Sequence, residues 1–200
     1  MKPFLATASF VLLSICSVKA QLALGIKGGL SLSGMSIANS KVYPSFHAGA
    51  FSEVTLNENL MLRPELLYSV KGSRPTVFNE FDLVIDLRYI SMPVLVGWKA
   101  TDRLNILAGP EISYLMEGIV ATHDQVSSAE IFTPLDFAID LGLAYQISNK
   151  FTVEFRYSLG LVNVVDIEFT DLHDRPVGSL EEGKNRSMQL SLGYTFESEE

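Results

Sequence analysis

No stretch of eighteen or more consecutive apolar residues occurs in this 200-residue chain, although 48% of it is hydrophobic and its mean hydropathy is positive. A membrane-crossing helix is thereby excluded. Cysteine is nearly absent: the single one, Cys16, falls in an N-terminal leader, so the rest of the chain has no disulfide and no thiolate for catalysis or metal binding. Basic residues are the minority, 15 against 23 acidic ones, which argues against a nucleic-acid partner. Histidine is limited to three residues, and no nucleotide-binding or metal-binding motif is present.

The leader is residues 1–20. Lys2 supplies a minimal positive charge, Phe4 to Ile15 forms a short apolar core, and Val18-Lys19-Ala20 places small residues for cleavage before Gln21. These are the features of a secretory signal peptide, and the core is too short to span a bilayer. Without Lys2 and Lys19 the chain keeps 13 basic and 23 acidic residues, a net charge of −10. Residues 21–200 have the length of a single domain.

What fills that domain is alternation. From Leu22 to Ser33 the even positions (Leu22, Leu24, Ile26, Gly28, Leu30, Leu32) are apolar or Gly, and the odd ones (Ala23, Gly25, Lys27, Gly29, Ser31, Ser33) are small or polar. Strand side chains alternate faces, so the segment has one apolar and one polar face. The pattern returns at Phe46–Leu56, Leu60–Lys71, Leu104–Glu117, Leu135–Ile147, Phe151–Leu161 and Ser187–Phe196. A less regular segment lies between Phe81 and Trp98. Phe81, Leu83, Ile85 and Leu87 hold one phase there, and Ile90, Met92, Val94, Val96 and Trp98 hold the other. A β-bulge near Arg88-Tyr89 explains the switch; so does a loop that runs further along the segment.

The connections alternate too. Asn57-Glu58-Asn59, Ala100-Thr101-Asp102 and Ser148-Asn149-Lys150 are short, whereas those near 34–44, 72–80, 118–133 and 165–185 are long. Eight strands of about ten residues with short turns at one end and long loops at the other form the plan of an outer-membrane barrel. The fold class is therefore all-β, an eight-stranded antiparallel up-and-down transmembrane β-barrel.

Alternation alone does not say which face is outside, because a soluble barrel reverses it. Here the polar face is rich in Gly, Ala and Ser, which suits a narrow lumen. Its charges have both signs, as an interior ion-pair network requires. Lys27, His47, Glu53, Arg63, Glu65, Lys71, Glu111, Asp136, Asp140, Glu154 and Arg156 are accordingly assigned to a structural lumen network. Aromatics on the apolar face gather towards the segment ends. Trp98, Tyr145, Phe151, Tyr194 and Phe196 mark the short-turn end, and Phe46, Tyr68, Tyr114 and Phe137 the loop end. They are read as two interfacial girdles. Eight strands enclose only enough room for side chains, so the lumen is expected to be a packed polar core.

A run of local motifs adds to this reading. Gly25-Ile26-Lys27-Gly28-Gly29-Leu30, Phe46-His47-Ala48-Gly49, Arg63-Pro64-Glu65-Leu66-Leu67-Tyr68-Ser69-Val70-Lys71-Gly72 and Tyr89-Ile90-Ser91-Met92-Pro93-Val94-Leu95 follow in order. Ala108-Gly109-Pro110, Arg156-Tyr157-Ser158-Leu159-Gly160-Leu161-Val162-Asn163 and Leu192-Gly193-Tyr194-Thr195-Phe196 complete the series. Together they resemble the porin-like outer-membrane β-barrel domain family, the group that includes PorT-type secretion proteins. The resemblance implies a small outer-membrane barrel in a family whose members mostly lack a defined biochemical activity. Two departures stand out: Glu197-Ser198-Glu199-Glu200 follows the terminal aromatic Phe196, and Ser91 stands where an acidic residue is expected.

No catalytic, cofactor or metal site is expected. His123-Asp124 and Asp171-Leu172-His173-Asp174 fall in the two longest loops. They are read as solvated loop residues in preference to a divalent-cation site, or to an enzyme's Ser, His and Asp set drawing on Ser127 and Ser128. The expected role is structural or interactive, through the long outer loops. The alternatives are a component of a secretion or transport apparatus or a narrow pore, and then a loop-based enzyme. Expected partners are outer-membrane lipids and the barrel assembly machinery, with secretion-apparatus proteins or lipopolysaccharide as further candidates.

Overall fold

The computed structural model describes residues 22–36, 40–77, 81–82, 84–121, 126–128, 132–170 and 176–196; the expected leader lies outside them. Among the described residues thirteen strands run in chain order. They are β1 (Leu22–Met35), β2 (Ser40–Lys41), β3 (Tyr43–Thr55), β4 (Leu60–Val77), β5 (Phe81–Asp82), β6 (Val84–Lys99) and β7 (Leu104–Ala121), followed by β8 (Val126–Ser128), β9 (Leu135–Gln146), β10 (Phe151–Gly160), β11 (Val165–Thr170), β12 (Pro176–Glu182) and β13 (Asn185–Thr195). Eight of them, β1, β3, β4, β6, β7, β9, β10 and β13, form the wall. Each pairs antiparallel with the next, and β1 pairs with β13 to close the circle. The short β2, β5 and β8 extend the loop end of the wall, and β11 with β12 makes a separate hairpin there.

The register sets the shape of the cylinder. Partners run Leu60–Trp98–Ile106–Leu143–Phe155–Leu190–Leu30–Phe46 around the wall. Since His47 faces Ser69, the row comes back to β4 beside Val70, ten residues beyond its start at Leu60. A stagger of ten over eight strands, with ~3.3 Å per residue and ~4.8 Å between strands, tilts the strands by about 40°. Each residue then climbs roughly 2.5 Å along the barrel axis. Phe137 and Tyr145, at opposite ends of the apolar face of β9, are consequently about 20 Å apart in height, close to the apolar band of an outer-membrane barrel.

The faces fall as the alternation requires. Leu24, Ile26, Leu30 and Leu32 point outward and are at least half exposed, while Lys27 is buried. The three short turns share one device. An oxygen of the first or second turn residue accepts backbone N–H groups: Asn57 Oδ1 from Asn59 and Leu60, Thr101 Oγ1 from Arg103 and Leu104, Ser148 Oγ from Lys150 and Phe151. These side chains mimic a backbone turn and let the chain reverse in a few residues.

A β-bulge does fall at the Arg88–Tyr89 step of the irregular fourth segment, as one of the two expectations has it, but it is not what switches the phase. Side chains of β6 alternate without interruption, with Ile85, Leu87, Tyr89, Ser91 and Leu95 all buried in the lumen. The bulge lies on the facing strand: Arg88 pairs with Glu117 but Tyr89 with Leu115, so Met116 is the extra residue of β7. What switches on β6 is polarity. Above Tyr89 the strand leaves the apolar band, its outer face (Asp86, Arg88) meets water, and its inner face becomes apolar. The bulge also turns Glu117, which strict alternation from Glu111 and Ser113 would place in the lumen, to the outside, where it pairs with Arg88 at 2.6 Å.

Close strand approach makes some glycines obligatory. A Cβ at Gly49 would run into the Leu66 carbonyl oxygen and one at Gly29 into that of Leu190, whereas at Gly28 the nearest atoms are 3.6 Å away. Gly49→Ala is expected to destabilise by about 1–3 kcal/mol, as overpacking does. Gly28→Ala should stay within about 0.5 kcal/mol. Urea midpoints in detergent micelles check both; equal midpoints would refute the steric account.

Candidate functional site

The lumen holds the one concentrated set of charges among the described residues. Alternate residues of one strand share a face, so Arg63 and Glu65 on β4 both enter the lumen, as do Glu154 and Arg156 on β10. Lys27 from β1 and Asp140 from β9 join them. Lys27 Nζ lies 2.8 Å from Glu154 and 3.2 Å from Glu65. The Arg156 guanidinium donates to Glu65 at 2.8 Å and to Asp140 at 3.3 Å, and also pairs with Glu154. Arg63 contacts Glu65 at 3.2 Å and Glu154 at 3.1 Å while its guanidinium lies over the Phe51 ring, 4.1 Å from the centroid. Phe51, the one aromatic on the polar face of its segment, thus packs beneath Arg63 at the short-turn side.

A second cluster sits nearer the loop end. Lys71 Nζ lies 2.8 Å from Glu111 and 3.1 Å from Asp136. Asn185 donates to Asp136 at 2.8 Å. Ser69, Ser91 and Ser113 form a hydroxyl chain at 2.8 and 2.7 Å, and Ser113 donates on to Glu111 at 2.9 Å. Ser91, where an acidic residue was expected, therefore serves as a neutral link. His47 is buried between the clusters, with Ser31 2.8 Å from Nδ1 and Ser191 2.6 Å from Nε2.

The sequence-assigned set is thus placed as follows. Ten of the eleven residues are buried in these two clusters or between them. Glu53 is not: its side chain is 29% exposed at the short-turn mouth and reaches Arg63 only at 3.6 Å. Four cations (Lys27, Arg63, Lys71, Arg156) face five fully buried carboxylates (Glu65, Glu111, Asp136, Asp140, Glu154). Glu65 and Glu154 each meet Lys27, Arg63 and Arg156, while Glu111 and Asp136 share Lys71 and Asp140 takes Arg156; with every charge paired, the arrangement suits a structural core rather than a reaction. No group of three His, Cys, Asp or Glu among the described residues is arranged to hold a metal.

Two apolar layers complete the filling and were not anticipated. At the loop end Met35, Ile85, Leu87, Tyr89, Phe132, Val164 and Val165 pack together inside the wall. Lower down Leu95, Leu107 and Ala144 pack with Met61. The signal for the first was present in the phase switch of β6, but its meaning depended on where the membrane ends. The loop residues His123, Asp124, Asp171, His173 and Asp174 lie outside the described residues. Ser127 and Ser128 belong to β8, paired with β7.

On the outside, Trp98, Tyr145, Phe151 and Phe196 are exposed at the short-turn end, with Tyr194 stacked edge-on between Phe151 and Phe196 at 5.2 and 5.5 Å. Phe46, Tyr68, Tyr114 and Phe137 are exposed towards the other end. The two aromatic rings bound a continuous apolar wall, as the lipid boundary requires.

Solved structures share this architecture. The attachment invasion locus protein Ail of Yersinia pestis aligns with a TM-score of 0.52 and 14% identity over 87% of this chain and 98% of its own. Neisserial surface protein A aligns at 0.54 and 10% identity over 86% and 97%. OprG of Pseudomonas aeruginosa aligns at 0.50 and 10% identity over 88% and 96%. At such identities the likeness is one of fold. No curated protein matches the chain. The model of the outer membrane protein beta-barrel domain matches residues 16–166, and with the closed eight-stranded wall, the girdles and the polar lumen it settles the matter: this chain belongs to the outer membrane protein beta-barrel domain family.

Proposed function

We propose that this protein is a non-conducting outer-membrane barrel that acts through its outer rim. The observation that carries the reading is the filled lumen. A path along the axis meets the Arg63–Phe51 stack, the interlocked pairs around Arg156, the Lys71 cluster and then the apolar layer of Leu87, Tyr89 and Phe132. A hydrated ion crossing it would have to part buried charges from their partners and then pass an apolar layer, each step carrying a desolvation penalty. The rim, by contrast, is built outward: β4, β6 and β7 run 16–18 residues, against 10–12 for β9, β10 and β13. That asymmetric wall, with the β11–β12 hairpin, is a rigid support for contacts made outside the membrane. The reading includes export through residues 1–20 and insertion by the barrel assembly machinery.

Reconstitution in planar bilayers tests it. Purified protein should add no unitary conductance steps. Reproducible steps whose ion selectivity changes in Lys71→Gln would overturn the reading in favour of a pore. A stoichiometric complex captured with periplasmic or inner-membrane partners would favour a secretion-apparatus component instead.

A further inference from the structure

A groove of about 260 Å³ opens on the outer wall where β1, β10 and β13 reach the loop end. Leu32, Tyr157 and Met188 form its lower part, with Leu32 and Met188 about half exposed and continuous with the lipid-facing wall. Val42 closes one side, and Arg186 and Lys41 stand at the rim. Among the described residues no aspartate or glutamate lines it. On the far side of the barrel Arg88 is held by Asp86 at 3.5 Å and Glu117 at 2.6 Å; among the described residues no carboxylate pairs with Arg186. Arg186 faces Gly34 across the β1–β13 ladder, and a Cβ built on Gly34 meets nothing within 4 Å.

Height decides what fits. Arg186 is two residues above Met188 on β13, roughly 5 Å along the axis. By the partner rows it lies about 4 Å above Phe46 and level with Tyr114 and Phe137. The groove is thus apolar where acyl chains run and cationic where headgroups begin. An arginine at that boundary, with an apolar slot below it, matches the way basic pockets take lipid head groups.

We propose that this groove is a binding site for a phosphate-bearing lipid of the outer leaflet. Its phosphate is held by Arg186, and an acyl chain lies along Leu32, Tyr157 and Met188. This goes beyond the rim function above: it concerns the wall, and a pore or secretion component would carry it equally.

Native mass spectrometry of the full chain in detergent, titrated with lipid A, tests the site. One lipid A should be retained, and Arg186→Glu should weaken retention by about tenfold or more, the loss of a charge-assisted phosphate contact. Gly34→Phe, which fills the open space without changing charge, should do the same. Arg88→Glu should leave retention unchanged, and heat-shifted gel mobility reports that each variant is folded. Equal retention by wild type and Gly34→Phe would overturn the proposal. So would displacement of lipid A by millimolar inorganic phosphate, which would reduce the site to a simple anion contact.

Discussion

Arg156→Leu is expected to destabilise the barrel by about 3–5 kcal/mol, the usual loss when one partner of a buried charge cluster is removed. Arg156 joins three carboxylates, from β4, β9 and β10. Its removal leaves Glu65 and Glu154 with Lys27 and Arg63 and takes from Asp140 the guanidinium it pairs with. The converse change is milder. The lumen holds one more buried carboxylate than cation, so Asp140→Asn relieves a surplus negative charge and still leaves Arg156 two partners. Urea-induced unfolding in phosphocholine vesicles measures both. Should Arg156→Leu unfold at the wild-type midpoint, or Asp140→Asn prove the worse of the two, the network is not what organises the lumen.

Leu141→Arg is expected to cost about 2–4 kcal/mol, the penalty for a cation on the lipid face near the bilayer midplane. Leu141 is 57% exposed on the outer face of β9, four residues from Phe137 and four from Tyr145, the girdle residues of its own strand. Leu135→Arg, beyond Phe137 on the same face, should cost only about 0–1 kcal/mol because its guanidinium reaches the headgroups. The contrast is the informative part. A soluble-type barrel would tolerate both, and a wall without girdles at these heights would show no gradient.

Much of this architecture was legible in the alternation. Leu24, Ile26 and Lys27 took their faces from period-two geometry, which is a property of one strand and needs no partner. The short turns were legible for the same reason, since Asn57, Thr101 and Ser148 act on backbone groups within three residues. The lumen charges were found as a set, but their pairing was not: Lys27 and Glu154 are 127 residues apart, and only the register brings them together. Glu53 and Glu117 show where face assignment stops. One sits at an open mouth, and the other is turned out by a bulge whose extra residue belongs to β7, the neighbour of the strand where the apolar phase switches.

Although it left out the strands β2, β5, β8, β11 and β12 that occupy the expected long loops, the sequence by itself determined the eight wall strands, their two faces, the short turns and the sign of each lumen group. These follow from local periodicity and from the solvent each face must meet. The tertiary structure alone decided the stagger of ten, the apolar layer above Tyr89, the closed pairing around Arg156 and the groove beneath Arg186. Each depends on which residues of distant strands lie side by side, and that is set when the last strand pairs with the first and the wall closes.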